Sequence, residues 1–195
     1  MVRMNPFSIL ALPAKANLEE GVIRNQFQIL SKQSRANSSV ASKEATSRDR
    51  LAELSEAYQV VLSPAKRLQS LLAIHYGDNF ELKGAIPEAL VDLFSQVGGA
   101  TQEADAFATQ KSKATTALAE AVLAPKLLII QQVLGDTMAA VNEELNFATG
   151  RLDEVDCLIS ANLTEALEPS AALCRQLIYL EKWQQQIKAR FHALI

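Results

Sequence analysis

Apolar residues recur along this chain at helical spacing almost from its start. Ile23, Phe27 and Leu30 stand at i, i+4 and i+7, and Leu51, Leu54, Tyr58 and Val61 repeat the pattern. Each set places its side chains on one stripe of an α-helix. Asn17-Leu18-Glu19-Glu20 has the form of a capping box before the first helix, in which Asn17 would accept an N3 amide while Glu20 reaches back. That helix is expected to run to about Ser34. Residues 35–46 are small and polar without an apolar period, and read as a loop with Ser47 capping the next helix. Ser63-Pro64 ends the second stripe and opens another helix, since proline suits a first helical turn. Its inward residues are Leu68, Leu71 and Leu72, and Gly77 closes it. Asn5-Pro6-Phe7 begins a shorter turn upstream. Two antiparallel helices with facing stripes, closed by short flanking helices, are the predicted N-terminal structure.

Residues 77–86 read as a linker. Helix signals resume at Ile86-Pro87-Glu88, with Leu90, Val91, Phe94 and Val97 on one face and Gly98-Gly99 expected to stop it. Further helix is expected over 101–123, then from Pro125 to about Phe147 with Gly150 just beyond, and over 151–168. The clearest pattern closes the chain: Leu173, Leu177, Leu180, Ile187 and Leu194 at helical spacing, widened by Tyr179, Trp183 and Phe191. The fold class is therefore all-α, with a helical hairpin over 1–76 and a three-helix-bundle-like part over 87–195.

Composition agrees. Hydrophobic residues make up 49% of the 195, which suffices to bury a core, and there are only seven glycines and six prolines. Charge is uneven. Residues 1–72 carry ten Lys/Arg against six acids, a balance of +4, and residues 73–195 carry nine against sixteen, a balance of −7. A basic part followed by an acidic part suggests two surfaces for partners of different charge. The longest uninterrupted apolar run, Leu127-Leu128-Ile129-Ile130, is short of the ~18 residues of a membrane span. Cys157 and Cys174 lack CxxC spacing. A cytoplasmic protein without a membrane role is the expectation.

Catalytic chemistry finds no footing. His75 and His192 stand apart from any carboxylate or cysteine at metal-ligand spacing, and Gly98-Gly99 lacks the Lys-Ser/Thr of a phosphate loop. Asp153, Glu154 and Asp156 lack the glycine and alternating oxygen ligands of a calcium loop. No catalytic residue, metal site or cofactor is implied. The basic residues are not interleaved with aromatics, so nucleic acid is not an expected partner.

Asn5-Pro6-Phe7-Ser8-Ile9-Leu10-Ala11-Leu12-Pro13 is similar to the "D-P-F-x-x-L-G-L-P" opening of DnaJ-class J-domains, and Phe27-Gln28-Ile29-Leu30 fits their second helix. Leu54-Ser55-Glu56-Ala57-Tyr58-Gln59-Val60-Val61-Leu62-Ser63-Pro64 resembles their "L-N-E-A-Y-x-V-L-x-D-P" signature, and Arg67 with Leu71-Leu72 follows at the usual offsets. The family's His-Pro-Asp tripeptide, through which a J-domain triggers ATP hydrolysis by a DnaK-class chaperone, falls on Arg35-Ala36-Asn37. Guanidinium replaces imidazole, alanine replaces a rigid ring, and a neutral amide replaces a carboxylate. Residues 64–72 look more like the iron–sulfur co-chaperone family HscB than a general J-protein. Pro87–Phe94 and Ala172–Lys182 resemble two helices of that family's C-terminal bundle. The resemblance implies a scaffold-binding patch at Leu90, Val91, Phe94 and Tyr179, although the acidic positions that follow it in the family fall near Ser95 and Gly98. It also implies a weakened or lost contact with a DnaK/HscA-class chaperone through Lys32, Arg35, Ala36 and Asn37. The function expected is that of a non-catalytic HscB-like adaptor related to iron–sulfur cluster assembly. A helical interaction or structural module that has left chaperone work is the alternative.

Overall fold

The computed structural model describes residues 5–36, 44–77, 80–82 and 84–194, and every regular element among them is helical. In chain order these are α1 (Pro6–Ile9), α2 (Glu20–Ala36), α3 (Glu44–Leu62), α4 (Pro64–Tyr76), a 3-10 turn (Glu88–Leu90), α5 (Val91–Lys111), α6 (Ala117–Gly150), α7 (Leu152–Ala161) and α8 (Leu163–Leu194). The residues fall into two compact units. One holds the chain up to residue 83 together with 149–174; the other holds 84–148 and 175–194.

In the first unit α2 packs along α3, and α1 and α4 pack against α3. The two sequence stripes meet: the rings of Phe27 and Tyr58 stack with centroids 4.4 Å apart, and Ile23, Leu54 and Val61 are buried. Leu68, Leu71 and Leu72 of α4 complete this core. The cap expected at Ser63 forms, and the structure adds one at Asn5. The Asn5 side chain accepts from the Phe7 amide at 3.0 Å, and Ser63 Oγ accepts from the Lys66 amide at 3.2 Å. Gly77 closes α4 at φ +63°, where glycine is least strained.

The capping box at Asn17 does not form. The amides of Ala16 and Asn17 donate instead to the two oxygens of Asp156 on α7, at 2.7 and 2.9 Å, and Glu20 bonds Arg24 one turn on. The carbonyl of the buried Ala16 accepts from Arg67 Nε at 2.7 Å, while Arg67 Nη1 donates to the Val61 carbonyl at 2.8 Å. Arg67 is only 4% exposed. One guanidinium thus satisfies the orphan carbonyl end of α3 and ties down the segment leading into α2. Tyr76, whose phenol burial pushes above its ordinary value, donates to the Leu163 carbonyl at 2.5 Å. These bonds hold α7 and the start of α8 in the first unit.

The second unit is a bundle of α5, α6 and the remainder of α8. Cross-helix contacts give the directions. Phe94 meets Trp183, Asp105 pairs with Arg190, and Lys111 reaches the Leu194 carbonyl, so α5 and α8 run parallel. The α5–α6 turn makes α6 antiparallel to both, with Lys126 bonding Gln110 and Gln184 bonding Asn142. The core holds Leu93, Val97, Ala100, Ala104 and Phe107 of α5, Ile130, Leu134 and Val141 of α6, and Leu177, Leu180, Trp183, Ile187 and Leu194 of α8.

Several expected boundaries move. Helix α2 ends at Ala36 rather than Ser34, and α3 begins at Glu44, so Ser47 lies inside it. Gly98 and Gly99 sit within α5 because the stripe 93, 97, 100, 104, 107 continues through them. Burial on that scale outweighs the ~1 kcal/mol each glycine costs a helix. The break falls at 112–116 instead, where Thr116 Oγ1 accepts from the Ala119 amide and opens α6. Pro125 and Pro169 lie inside α6 and α8, both exposed. Length and composition would also let Leu118–Ala161 cross a membrane. Counting uninterrupted apolar runs hides this, because polar residues are spread through the segment.

Two stability changes follow. Replacing Arg67 by Ala strands the Ala16 and Val61 carbonyls in a dry site and should lower unfolding free energy by about 3 kcal/mol in urea titration. Ala11 sits at φ +51°, at the place where J-domains carry glycine. Ala11→Gly should therefore raise stability by roughly 1 kcal/mol, contrary to the usual sign for that exchange.

Candidate partner-binding surfaces

The first surface is the end of the α2–α3 hairpin. Lys32, Arg35 and Ala36 are exposed, and Asn37 lies outside the described residues. Arg35 and Ala36 occupy the last turn of α2 rather than a loop, which corrects the expected position of the tripeptide. Alanine permits this, since a proline at position 36 would remove the amide that the last helical turn uses. The outward face of α2 also carries Val22 and Ile29, exposed by 47% and 41%. They stand seven residues apart, and Lys32 lies one turn beyond Ile29 on the same side. Sequence reasoning passed over them because Ile23, Phe27 and Leu30 already account for the core stripe.

The second surface lies on the bundle, where the four predicted patch residues divide. Leu90, the last residue of the 3-10 turn, is fully buried, whereas Val91 and Phe94 are 46% and 47% exposed on the first turn of α5. Tyr179 is half-buried, and its hydroxyl donates to the Gly84 carbonyl at 3.0 Å. The structure adds Trp183, almost wholly buried, whose ring lies 6.0 Å from that of Phe94 and 5.9 Å from that of Tyr179. These separations suit favourable aromatic pairing. Trp183 is therefore a rigid floor, Tyr179 is held from one side by the Gly84 carbonyl, and Phe94 and Val91 stand up from it. Ser95, at a position where the resembled family is acidic, bonds its own helix at the Val91 carbonyl (3.1 Å) and brings no charge. Trp183 had a legible signal, being four residues from Tyr179 on the widened stripe of α8.

Among the described residues no cluster of three or more His, Cys, Asp or Glu side chains has the arrangement of a metal site. Cys157 is exposed and Cys174 is buried with its thiol 3.7 Å from the Ala65 carbonyl.

No protein-family profile and no curated protein sequence matches this chain. Solved structures do. The chain is similar to the chaperone HscB from Vibrio cholerae at 16% identity, over 98% of this chain and 100% of that one, with a TM-score of 0.57. It is likewise similar to the human co-chaperone protein HscB at 14% identity, over 98% and 84% of the two chains, with a TM-score of 0.56. The fold is HscB-like. At these identities the likeness is one of architecture, and it extends over the hairpin and the bundle alike. Because an HscB-like bundle leaves Val91 and Phe94 in water here, truncations separate the two kinds of patch residue. Leu90→Ala should cost about 2–5 kcal/mol, while Val91→Ala and Phe94→Ala should each cost under ~1.5 kcal/mol in thermal or chemical unfolding.

Proposed function

We propose that this chain is a non-catalytic co-chaperone or adaptor of the HscB kind, which holds an iron–sulfur scaffold protein on its C-terminal bundle. The observation that carries this reading is the exposed Val91–Phe94 pair on a floor of buried Trp183 and half-buried Tyr179, set on an HscB-like fold. A small apolar anchor on a rigid aromatic base is the usual form of a binding hot spot. Lys32, with the apolar Val22 and Ile29 beside it, offers a DnaK-class chaperone a mixed basic and apolar face on α2. The trigger is altered: Arg35-Ala36-Asn37 lacks the ring that fixes the loop and the carboxylate that accepts a charge-assisted bond. The adaptor therefore binds without accelerating ATP hydrolysis in the standard way.

A single-turnover ATPase assay with a DnaK/HscA-class chaperone tests the trigger. The natural chain is expected to leave the rate within about twofold of basal, and the triple change R35H/A36P/N37D to raise it at least tenfold. Normal stimulation by the natural chain would refute the altered trigger. Calorimetric titration with an iron–sulfur scaffold protein tests the patch. Phe94→Ala should weaken binding about tenfold, and a natural chain that shows no binding would remove the scaffold reading.

A further inference from the structure

A stripe on α6 belongs to neither surface. Leu118, Val122, Pro125 and Ile129 follow one another at spacings of 4, 3 and 4, so they lie within a narrow band of the helix surface. Leu118, Val122 and Ile129 are 78%, 71% and 63% exposed, and Leu128 beside them is 68% exposed. The opposite side of the same turns is also apolar, with Ala119, Leu123 and Leu127 half-buried. A helix with an apolar stripe on each of two sides normally has both covered. Here Lys126 is bonded to Gln110 in the last turn of α5, so the turns before it run beside the 112–116 connection rather than beside a second helix. Leu118 and Val122, with Lys113, Ala114 and Thr116, wall a shallow open hollow of about 470 Å³.

We propose that this face is covered by a second copy of the chain, its α6 packed antiparallel across a two-fold axis. The spacing 4-3-4 reads the same in both directions about a point between residues 123 and 124. Antiparallel pairing at that register sets Leu118 against Ile129 of the second copy and Val122 against its Pro125. Apolar residues therefore meet apolar residues at every step, as an isologous interface requires. Ile129 of each copy meets the mouth of the other's hollow. The charges agree with the same register. Asp136 lies five helical turns from Leu118, on the same line of the helix surface. It is exposed, accepts a bond from Gln132 at 2.8 Å, and makes no ion pair among the described residues. Pairing at this register brings it towards Lys113 of the second copy, twice by symmetry. Glu120 points to the other side of α6, so no like charges are forced together across the axis. The paired stripe is about 16 Å long. A contact this short falls below the roughly 1,000 Å² of a standard specific interface, which suits a weak dimer of micromolar dissociation constant.

This inference does not rest on the co-chaperone reading, because the stripe is separate from Val91, Phe94 and the hairpin. Sedimentation velocity over a concentration series of the full chain tests it. A concentration-dependent dimer is expected. Val122→Glu, and independently Ile129→Glu, should leave a monomer with an unchanged helical circular dichroism spectrum. Lys113→Glu and Asp136→Lys should each weaken the dimer about tenfold, since symmetry counts every change twice, and the double change should return it to within about twofold. A monomer at every concentration up to about 0.2 mM, far above a micromolar constant, would overturn the proposal. So would a dimer indifferent to Val122→Glu, or charge reversals that add rather than cancel. The same samples are spun with anionic phosphatidylserine vesicles. A monomer that co-sediments with them, and loses this with Val122→Glu, assigns the stripe to a lipid surface instead.

Discussion

The peptide unit around Ala16 is the joint of the N-terminal unit. Its carbonyl is held by a buried guanidinium from α4, and its amide, with that of Asn17, is held by a carboxylate from α7. Residues 16, 67 and 156 are far apart in the chain, so one short extended stretch gathers three segments. A buried Arg is tolerable here because its donors meet backbone carbonyls that would otherwise face a dry core. Those partners are main-chain atoms, so the arrangement survives changes of side chain at positions 16 and 61 that keep the fold. It also accounts for the clustering of residues 149–174 with the N-terminal helices rather than with the bundle residues that precede and follow them.

In the bundle, one residue serves both interior and surface. Trp183 is part of the core, and its ring is also the floor under Phe94 and Tyr179. A patch built in this way is stiff, because its base cannot move without disturbing the close-packed interior. A partner seated there, as proposed, would require little ordering of the receptor side. The hairpin is the contrasting case. There Arg35 and Ala36 lie in the last turn of α2 and are committed to helical hydrogen bonding.

The breakers in the chain show how tertiary burial ranks against local preference. Gly98-Gly99 should end a helix on propensity, yet five buried side chains on one stripe carry α5 through. Pro125 and Pro169 remove one helical bond each, but both rings face solvent, where the freed carbonyls can be hydrated. The true end of α5 comes at Lys111, before the stretch 112–116, where no apolar stripe continues. The period of the stripe, rather than the identity of single residues, sets the helix lengths in this protein.

Much was legible from the residues alone. The all-α class, the facing stripes of α2 and α3, the cap at Ser63, the closing glycine at 77 and the buried stripe of α8 all follow from short-range periodicity and capping chemistry, which a linear sequence carries directly. The resemblance to J-domains and HscB led to an architecture that solved HscB structures share. What the chain could not reveal was decided by contacts between distant residues. Asp156 took the Asn17 amide that Glu20 was expected to serve, Trp183 joined the patch, and Leu90 sank while Val91 and Phe94 stayed in water. Adjacent positions on one helix differ in this way because exposure depends on what packs opposite, and only the assembled helices determine that.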